Sequence, residues 1–363
     1  MPEIHGYCVP STGMRQSCSA QISCSSQSIS IPSVRNIGVP LPSNMDHVIP
    51  EFPCQVNART GLAHTGYAHA DYAASLAGFG TPRHLRRSDG WILERQIPGT
   101  PYRDAIGPYP LFSCLDWSQL AQDLDEIGTD LVSLMVVPAP FDGYSRLLLE
   151  RCFTQVIPFK SHYVTDLTQP LEKIVKKSHK DTVARAAKRV EVSHCVEPVA
   201  HLTKWVELFD VLVKRHHITG IRAFSQDAFA KQLAIPGMVM FEARANGETV
   251  GLDLWYTQAE VAYGHLVAFS ELGYELRASY ATKWFMLNHF AGKVRWVDLG
   301  GGAGVSSNAT DGLSVYKDGW STGTVPAYLC CRIFNHSLYD SLSAACGATG
   351  SSYFPAYRAG IPF

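Results

Sequence analysis

The sequence predicts an α/β fold, on three observations. Short runs with strand-like alternation and longer runs with helical spacing follow one another through most of the chain. MVMFEARANGETVGLDLWY, residues 238–256, holds two alternating segments around Asn246-Gly247, the pair that a type I′ hairpin turn prefers. HLTKWVELFDVLVKRHH, residues 201–217, sets Leu202, Trp205, Leu208, Phe209, Leu212 and Val213 on one apolar stripe, as an amphipathic helix does.

A length of 363 residues accommodates two domains of ordinary size. Hydrophobic residues at 46%, charged residues at 17% and a net charge of −1 describe a soluble globular chain, without the basic excess that marks a nucleic-acid binder. No apolar run approaches the ~18 residues of a membrane span, and the N-terminus lacks the blocks of a signal peptide. The expected location is therefore the cytoplasm. The ten cysteines show no CxxC spacing, so no metal site is expected, and they read as reduced, small apolar residues.

In chain order, residues 1–62 are rich in Ser and Pro and are expected to form a disordered arm. Residues 63–195 form a first half. It opens with a short helix in AHADYAASLAGFG and a strand in SDGWILERQIPG. TPYRDAIGPYPLF carries too much Gly and Pro to be helical, and its Tyr109 reads as a packed loop tyrosine. A helix at CLDWSQLAQDLDEIG, a strand at DLVSLMVVPAP, a helix at GYSRLLLERCF and a strand at SHYVTDL complete this half. LEKIVKKSHKDTVARAAKRV then concentrates Lys173, Lys176, Lys177, Lys180, Arg185, Lys188 and Arg189 on one predicted helix. The helix can hold phosphates or merely face water.

Residues 196–336 form the second half. After the helix at 201–217 comes a short one beginning near Ser225, whose hydroxyl can cap it. His216 and His217 lack a third ligand at helical spacing and suit a helix end instead. Beyond the hairpin, VAYGHLVAFSELG is a strand with Tyr263 and His265 on the same side. A helix begins near Ser279, VRWVDLGGG gives a strand and glycine turn, and LSVYKDGW is predicted to be the next strand. A last strand ends at Arg332-Ile333, and residues 337–363 form a C-terminal helix and tail.

Two residues in this half stand out chemically. Asp253 lies inside an apolar strand, where a buried charge needs a partner. Asp298 ends its strand before glycines, where it can cap the turn or hold a proton. VDLGGGAG also matches a methyltransferase loop, but the VSSNATDG that follows it is turn chemistry, and too little chain remains for further β-α units.

The order hairpin, strand, helix, DLGG turn, Tyr316-Lys317 and Arg332-Ile333 resembles the FemAB-like branch of the GNAT acyltransferase superfamily, with a BioF2-like acetyltransferase domain, over roughly residues 90–335. The resemblance implies two GNAT-like halves, each a mixed, mostly antiparallel sheet flanked by helices. It also implies a donor site in the second half, where strands 261–268 and 294–299 splay to admit the pantetheine arm of acyl-coenzyme A. Arg277, Ser279, Gly300, Gly301 and Gly302 are then donor-binding, and Tyr109, Asp253 and Tyr263 lie on the acceptor side. Lys317, His265 and Asp298 are the catalytic candidates, with Lys317 stabilising charge at the acyl centre and His265 relaying a proton. Lys317 can equally be an ordinary strand lysine, and His265 a buried structural one.

One departure concerns the donor. ELGYELRAS, before the central helix, carries one Arg and one Gly where the acetyltransferases have an Arg- and Gly-rich pyrophosphate loop. The leading expectation is N-acyl transfer from acyl-coenzyme A to a small-molecule amine. Aminoacyl transfer from aminoacyl-tRNA is the alternative, and a non-catalytic ligand-binding module of the same fold is the reading from another class.

Overall fold

The computed structural model describes residues 64–302 and 311–360. The expected N-terminal arm, with Cys8, Cys18 and Cys24, lies outside the described residues, as does most of the VSSNATDG turn.

One 11-stranded sheet runs through the protein in the order β1-β2-β3-β4-β11-β5-β10-β9-β8-β7-β6. The first half contributes β1 (Thr81–Leu85), β2 (Gly90–Gln96), β3 (Arg103–Ile106), β4 (Ser133–Val136) and β5 (Gln155–Asp166). The second contributes β7 (Met238–Ala245), β8 (Glu248–Gln258), β9 (Val261–Phe269), β10 (Trp296–Asp298) and β11 (Gly323–Ile333), and β6 (Glu191–Cys195), from the end of the span expected of the first half, pairs with β7 at the second half's edge. Pairing is antiparallel except at β3–β4 and β9–β10, so each half carries one parallel pair. At the centre the halves exchange their last strands: β11 pairs with β4, and β5 pairs with β10.

The first half holds helices α1 (Ala70–Ser75), α2 (Leu120–Ile127) and α3 (Arg146–Cys152), and α4 (Leu171–Ile174) and α5 (Lys177–Ala186) follow β5. The second half holds α6 (Leu202–His216), α7 (Gln226–Leu233), α8 (Glu271–Glu275), α9 (Ala278–Phe290), α10 (Gly312–Asp318) and α11 (His336–Ala345). Among the described residues no helix is long and apolar enough to cross a membrane.

The predicted stripe of α6 is the packed one: Trp205, Leu208, Phe209 and Leu212 are buried against Phe229 of α7 and the face of β8 and β9. α2 and α3 cover the first half's strands around Leu124, Leu134 and Leu149. α9 and α10 cover the second half's around Trp255, Met286, Val297 and Tyr316. Asn246 and Gly247 both take positive φ, 52° and 80°, as the hairpin turn requires. The Ser225 hydroxyl accepts the Ala228 N–H at 3.1 Å and caps α7. Ser225→Ala is expected to lower stability by about 1 kcal/mol, read from the denaturant midpoint at unchanged slope.

Three elements depart from the sequence reading. Lys317 sits on α10, a helix, not on a strand. Asp311-Gly312 is turn-like in composition, but Asp311 acts as an N-cap, its carboxylate accepting the N–H groups of Leu313 and Ser314 at 2.9 and 3.0 Å. The basic helix is broken in two, because Val175 is buried in extended backbone and the Lys176 N–H bonds to the Gly319 carbonyl at 3.0 Å, outside any helix ladder. The Gly- and Pro-rich segment after β2 holds β3, whose pairing with β2 and β4 overrides its composition. The C-terminal tail covers β3: Arg358 donates to the buried Asp104 carboxylate, with Nη2 at 3.0 Å. Cys114, Cys152, Cys195, Cys330 and Cys331 are buried free thiols.

Candidate active site

The parallel pair β9–β10 is short. Trp296, Val297 and Asp298 pair with Val261, Ala262 and Tyr263, and there the ladder stops, although β9 runs on to Phe269. Past Asp298 the chain leans toward β5, with the Leu299 N–H on the Tyr163 carbonyl at 2.9 Å and the Tyr163 N–H on the Gly300 carbonyl at 3.1 Å. The two chain segments therefore part beyond Tyr263 and Asp298. Gly300 makes the bend with φ 74°.

Asp298 stands at the apex of this opening, 2% exposed. Its oxygens lie 3.1 and 2.9 Å from Nδ1 of His162, a β5 residue that is 8% exposed. Oδ1 also accepts the Gly300 N–H at 2.7 Å, so one carboxylate orients the imidazole and closes the turn. An ionised carboxylate on Nδ1 fixes the proton there and leaves Nε2 as the basic nitrogen. His162 is the residue that the sequence did not bring forward. Its one signal was an imidazole in the strand SHYVTDL, two positions before the buried Val164 and on the same face.

Two lysines flank the glycine turn. Lys317 Nζ donates to the Gly301 carbonyl at 2.6 Å, and Lys160 Nζ to the Gly302 carbonyl at 3.5 Å. A Cβ on Gly301 would come within 2.8 Å of Lys160 Cδ, so a side chain there would displace the lysine from the turn. The Tyr316 hydroxyl, one residue before Lys317, donates to the Ser279 carbonyl at 3.1 Å, tying α10 to the first turn of α9. Arg277 precedes that turn, exposed, in left-handed backbone at φ 55°. The structure thus brings together Asp298, Gly300, Gly301, Gly302 and Lys317, with the Ser279 backbone tied to α10 through Tyr316 and Arg277 two positions before Ser279 in the chain.

Tyr263, 2% exposed, lies beside Asp298 in the β9–β10 register, and burial holds its phenol well above the usual range, so it stays a neutral donor. Its ring centroid is 6.0 Å from that of Tyr67, which in turn lies 5.8 Å from His265. His265 belongs to an aromatic cage with Tyr72, Tyr256 and Phe224. Both its nitrogens are engaged, Nδ1 with the Tyr67 hydroxyl at 3.3 Å and Nε2 with Gln232 Oε1 at 3.2 Å. Burial pushes its pKa down to about 3, so it remains neutral. Tyr109 reaches the same cage, 6.3 Å from Phe224, and its carbonyl accepts the Tyr72 hydroxyl.

Asp253 lies on the other face of β8 from the aromatic cage. It sits beneath α9, where Lys283 Nζ meets its carboxylate at 3.1 Å. Its neighbours Leu252 and Leu254 point to the opposite face, toward the cluster that contains Tyr263. Burial raises its pKa and Lys283 opposes that rise. An open cavity of about 400 Å³ lined by Gly78, Arg95, Ile106, Ile221 and Arg358 contains none of the site residues.

ELGYELRAS contains α8, whose five residues are capped by Ser270 and end just before Arg277. α5 packs beside the start of α9, with the His179 ring 5.1 Å from Tyr280, and exposes Lys176, Lys177 and Arg185.

Residues 176–317 match the family described as Acetyltransferase (GNAT) domain. No curated protein sequence matches the chain. Among solved structures, FemX is 13% identical over 74% of this chain and 92% of its own, with a TM-score of 0.55. The C-terminal domain of a putative lysylphosphatidylglycerol synthetase from Agrobacterium fabrum is 13% identical over 73% and 88%, with a TM-score of 0.52. A conserved protein of unknown function from Bacteroides thetaiotaomicron is 12% identical over 74% and 93%, also at 0.52. At these identities the likenesses carry the fold.

Proposed function

We propose that this chain, whose residues 176–317 match a GNAT acetyltransferase domain and whose fold is similar to that of FemX, transfers an acyl group from an acyl-coenzyme A thioester to a small-molecule amine. The observation that carries the reading is the Asp298–His162 pair at the apex of the opening between β9 and the glycine turn.

In this reading the thioester enters along the opening, its phosphates toward Arg277 and the first turn of α9, where unpaired helix amides favour anions. The amine approaches from the aromatic side, where Tyr263 and Trp296 face Phe141 of the first half. His162 Nε2 takes the amine proton as nitrogen attacks the carbonyl carbon. Asp298 stabilises the imidazolium so formed. Negative charge develops on the carbonyl oxygen near the turn, where the Lys317 and Lys160 ammonium groups lie. Collapse of the tetrahedral intermediate breaks the C–S bond, and the thiolate leaves with a proton available from the imidazolium. His265, neutral and held at both nitrogens, is in this reading part of the wall.

A second reading is supported by α8 in place of an Arg- and Gly-rich loop, and by the exposed cations Lys173, Lys176, Lys177, Arg185, Lys188 and Arg189. There the donor is an aminoacyl-tRNA, whose phosphates meet α5.

The test is the melting temperature with acetyl-coenzyme A, longer acyl-coenzymes A and desulfo-coenzyme A. A donor at a hundred times its dissociation constant stabilises by roughly 2.7 kcal/mol, a shift of a few degrees. A shift with one acyl-coenzyme A that Lys317→Met weakens supports the first reading. No shift with any of them, together with retention of charged tRNA at low salt, favours the second.

A further inference from the structure

The sheet edge at β6, four strands from β10, holds a second group of chemically active side chains. Cys195 ends β6, Glu242 lies on the neighbouring β7, and His201 closes the 3-10 turn that leads into α6. The Cys195 thiol, a His201 ring nitrogen and a Glu242 carboxylate oxygen all lie within 4.8 Å of one another. Cys195 and Glu242 are 6% and 7% exposed, while His201 is half-buried and closes the group on its outer side.

Two features distinguish this group from ordinary packing. Among the described residues the three side chains make no hydrogen bond or ion pair with one another, although they converge. The Glu242 carboxylate is buried, and its one bonded side chain is the neutral Thr249 hydroxyl. A buried carboxylate without a cation is costly, and three ligand atoms within 4.8 Å of one another that do not bond to each other leave room for an ion among them. Zinc in a tetrahedral site holds sulfur at ~2.3 Å and nitrogen or oxygen at ~2.0–2.2 Å, which sets ligand atoms ~3.3–3.8 Å apart. A closure of about one ångström would reach that geometry.

We propose that Cys195, His201 and Glu242 bind one zinc ion, with solvent as the fourth ligand beside the half-buried His201. One thiolate, one carboxylate and a neutral imidazole balance the charge of a divalent ion, and the thiol proton passes to solvent on binding. β6 stands four strands from β10 in the sheet order, ~19 Å at the usual spacing, so the ion has no part in acyl transfer. It clamps the turn before α6 to the sheet edge and closes the second half around its first helix. Motif spacing does not reveal the site, because its ligands meet only through the pairing of β6 with β7.

The experiment is titration of the full chain with Co²⁺ alone after chelator treatment, followed by competition with Zn²⁺. One equivalent of Co²⁺ is expected to give tetrahedral visible bands and a near-ultraviolet thiolate band, both lost as Zn²⁺ displaces it, with a higher melting temperature for the zinc form. Cys195→Ser should abolish the thiolate band. His201→Ala, at a half-exposed position that does not threaten folding, should weaken binding at least tenfold. A thiolate band that persists in His201→Ala with unchanged affinity places the ion on other cysteines and overturns the proposal. So does the absence of any bound equivalent at micromolar Co²⁺.

Discussion

His162→Ala is expected to lower kcat by roughly 10²–10⁴, the usual contribution of a positioned general base, and stability by about 1–3 kcal/mol as the buried Asp298 loses a donor. Among the described residues the imidazole's side-chain partner is Asp298, and its removal leaves that carboxylate held by the Gly300 N–H. Asp298→Asn should reduce kcat by a comparable factor through a different step. The amide can donate to Nδ1, which moves the imidazole proton to Nε2 and removes the basic nitrogen. The companion variant His265→Phe should leave kcat within a few-fold, because burial already keeps that ring neutral and its nitrogens are both bonded. Steady-state rates at saturating amine, with unfolding curves for each variant, check the set. A His162→Ala enzyme that keeps more than a tenth of the wild-type kcat rules out the assignment of the base.

Asp253→Ala is expected to destabilise the protein by about 3–5 kcal/mol, the range for breaking a buried ion pair from one side. Asp253 is 2% exposed, and Lys283 Nζ lies between its carboxylate at 3.1 Å and the Trp255 ring, 4.4 Å from the centroid. Loss of the carboxylate strands an ammonium beneath α9 with only the indole face for company. Removing both charges in Asp253→Ala/Lys283→Met should recover much of the loss, because the pair's desolvation disappears with it. Denaturant unfolding of the four forms of the cycle measures this. The amine KM of the single variant, measured well below its melting temperature, should stay near the wild-type value, since the opposite face of β8 carries the cluster with Tyr263. A KM change of tenfold or more at intact fold would return Asp253 to the acceptor side.

The parts of this architecture that the sequence carries are those decided within one element. The Asn246-Gly247 turn, the stripe from Trp205 to Leu212, the Ser225 cap and the glycine bend after Asp298 each follow from residues a few positions apart. Lys317 was misplaced because an Asp-Gly pair serves both a turn and a helix cap, and the choice rests on whether Leu313 and Tyr316 find a core to enter. They do, against Trp320 and Leu299. The partner of Asp298 was out of reach for another reason. His162 lies 136 residues away, and only the passage of β5 across to the second half sets the two side by side. The same holds for Asp253 and Lys283, where an unusual charge in a strand was visible and the residue answering it was not.

The exchange of β5 and β11 also bears on how the chain is made. β4 gains its second neighbour only when β11 arrives, so the first half leaves the ribosome with one flank of its sheet unpaired. From Asp166 to Ile333, at roughly 5–20 residues per second, that flank waits on the order of ten seconds or longer. Exposed strand edges are the sites at which nascent chains stick to one another. Slower translation of the second half should therefore lower the yield of native protein, and a holdase chaperone present during synthesis should restore it.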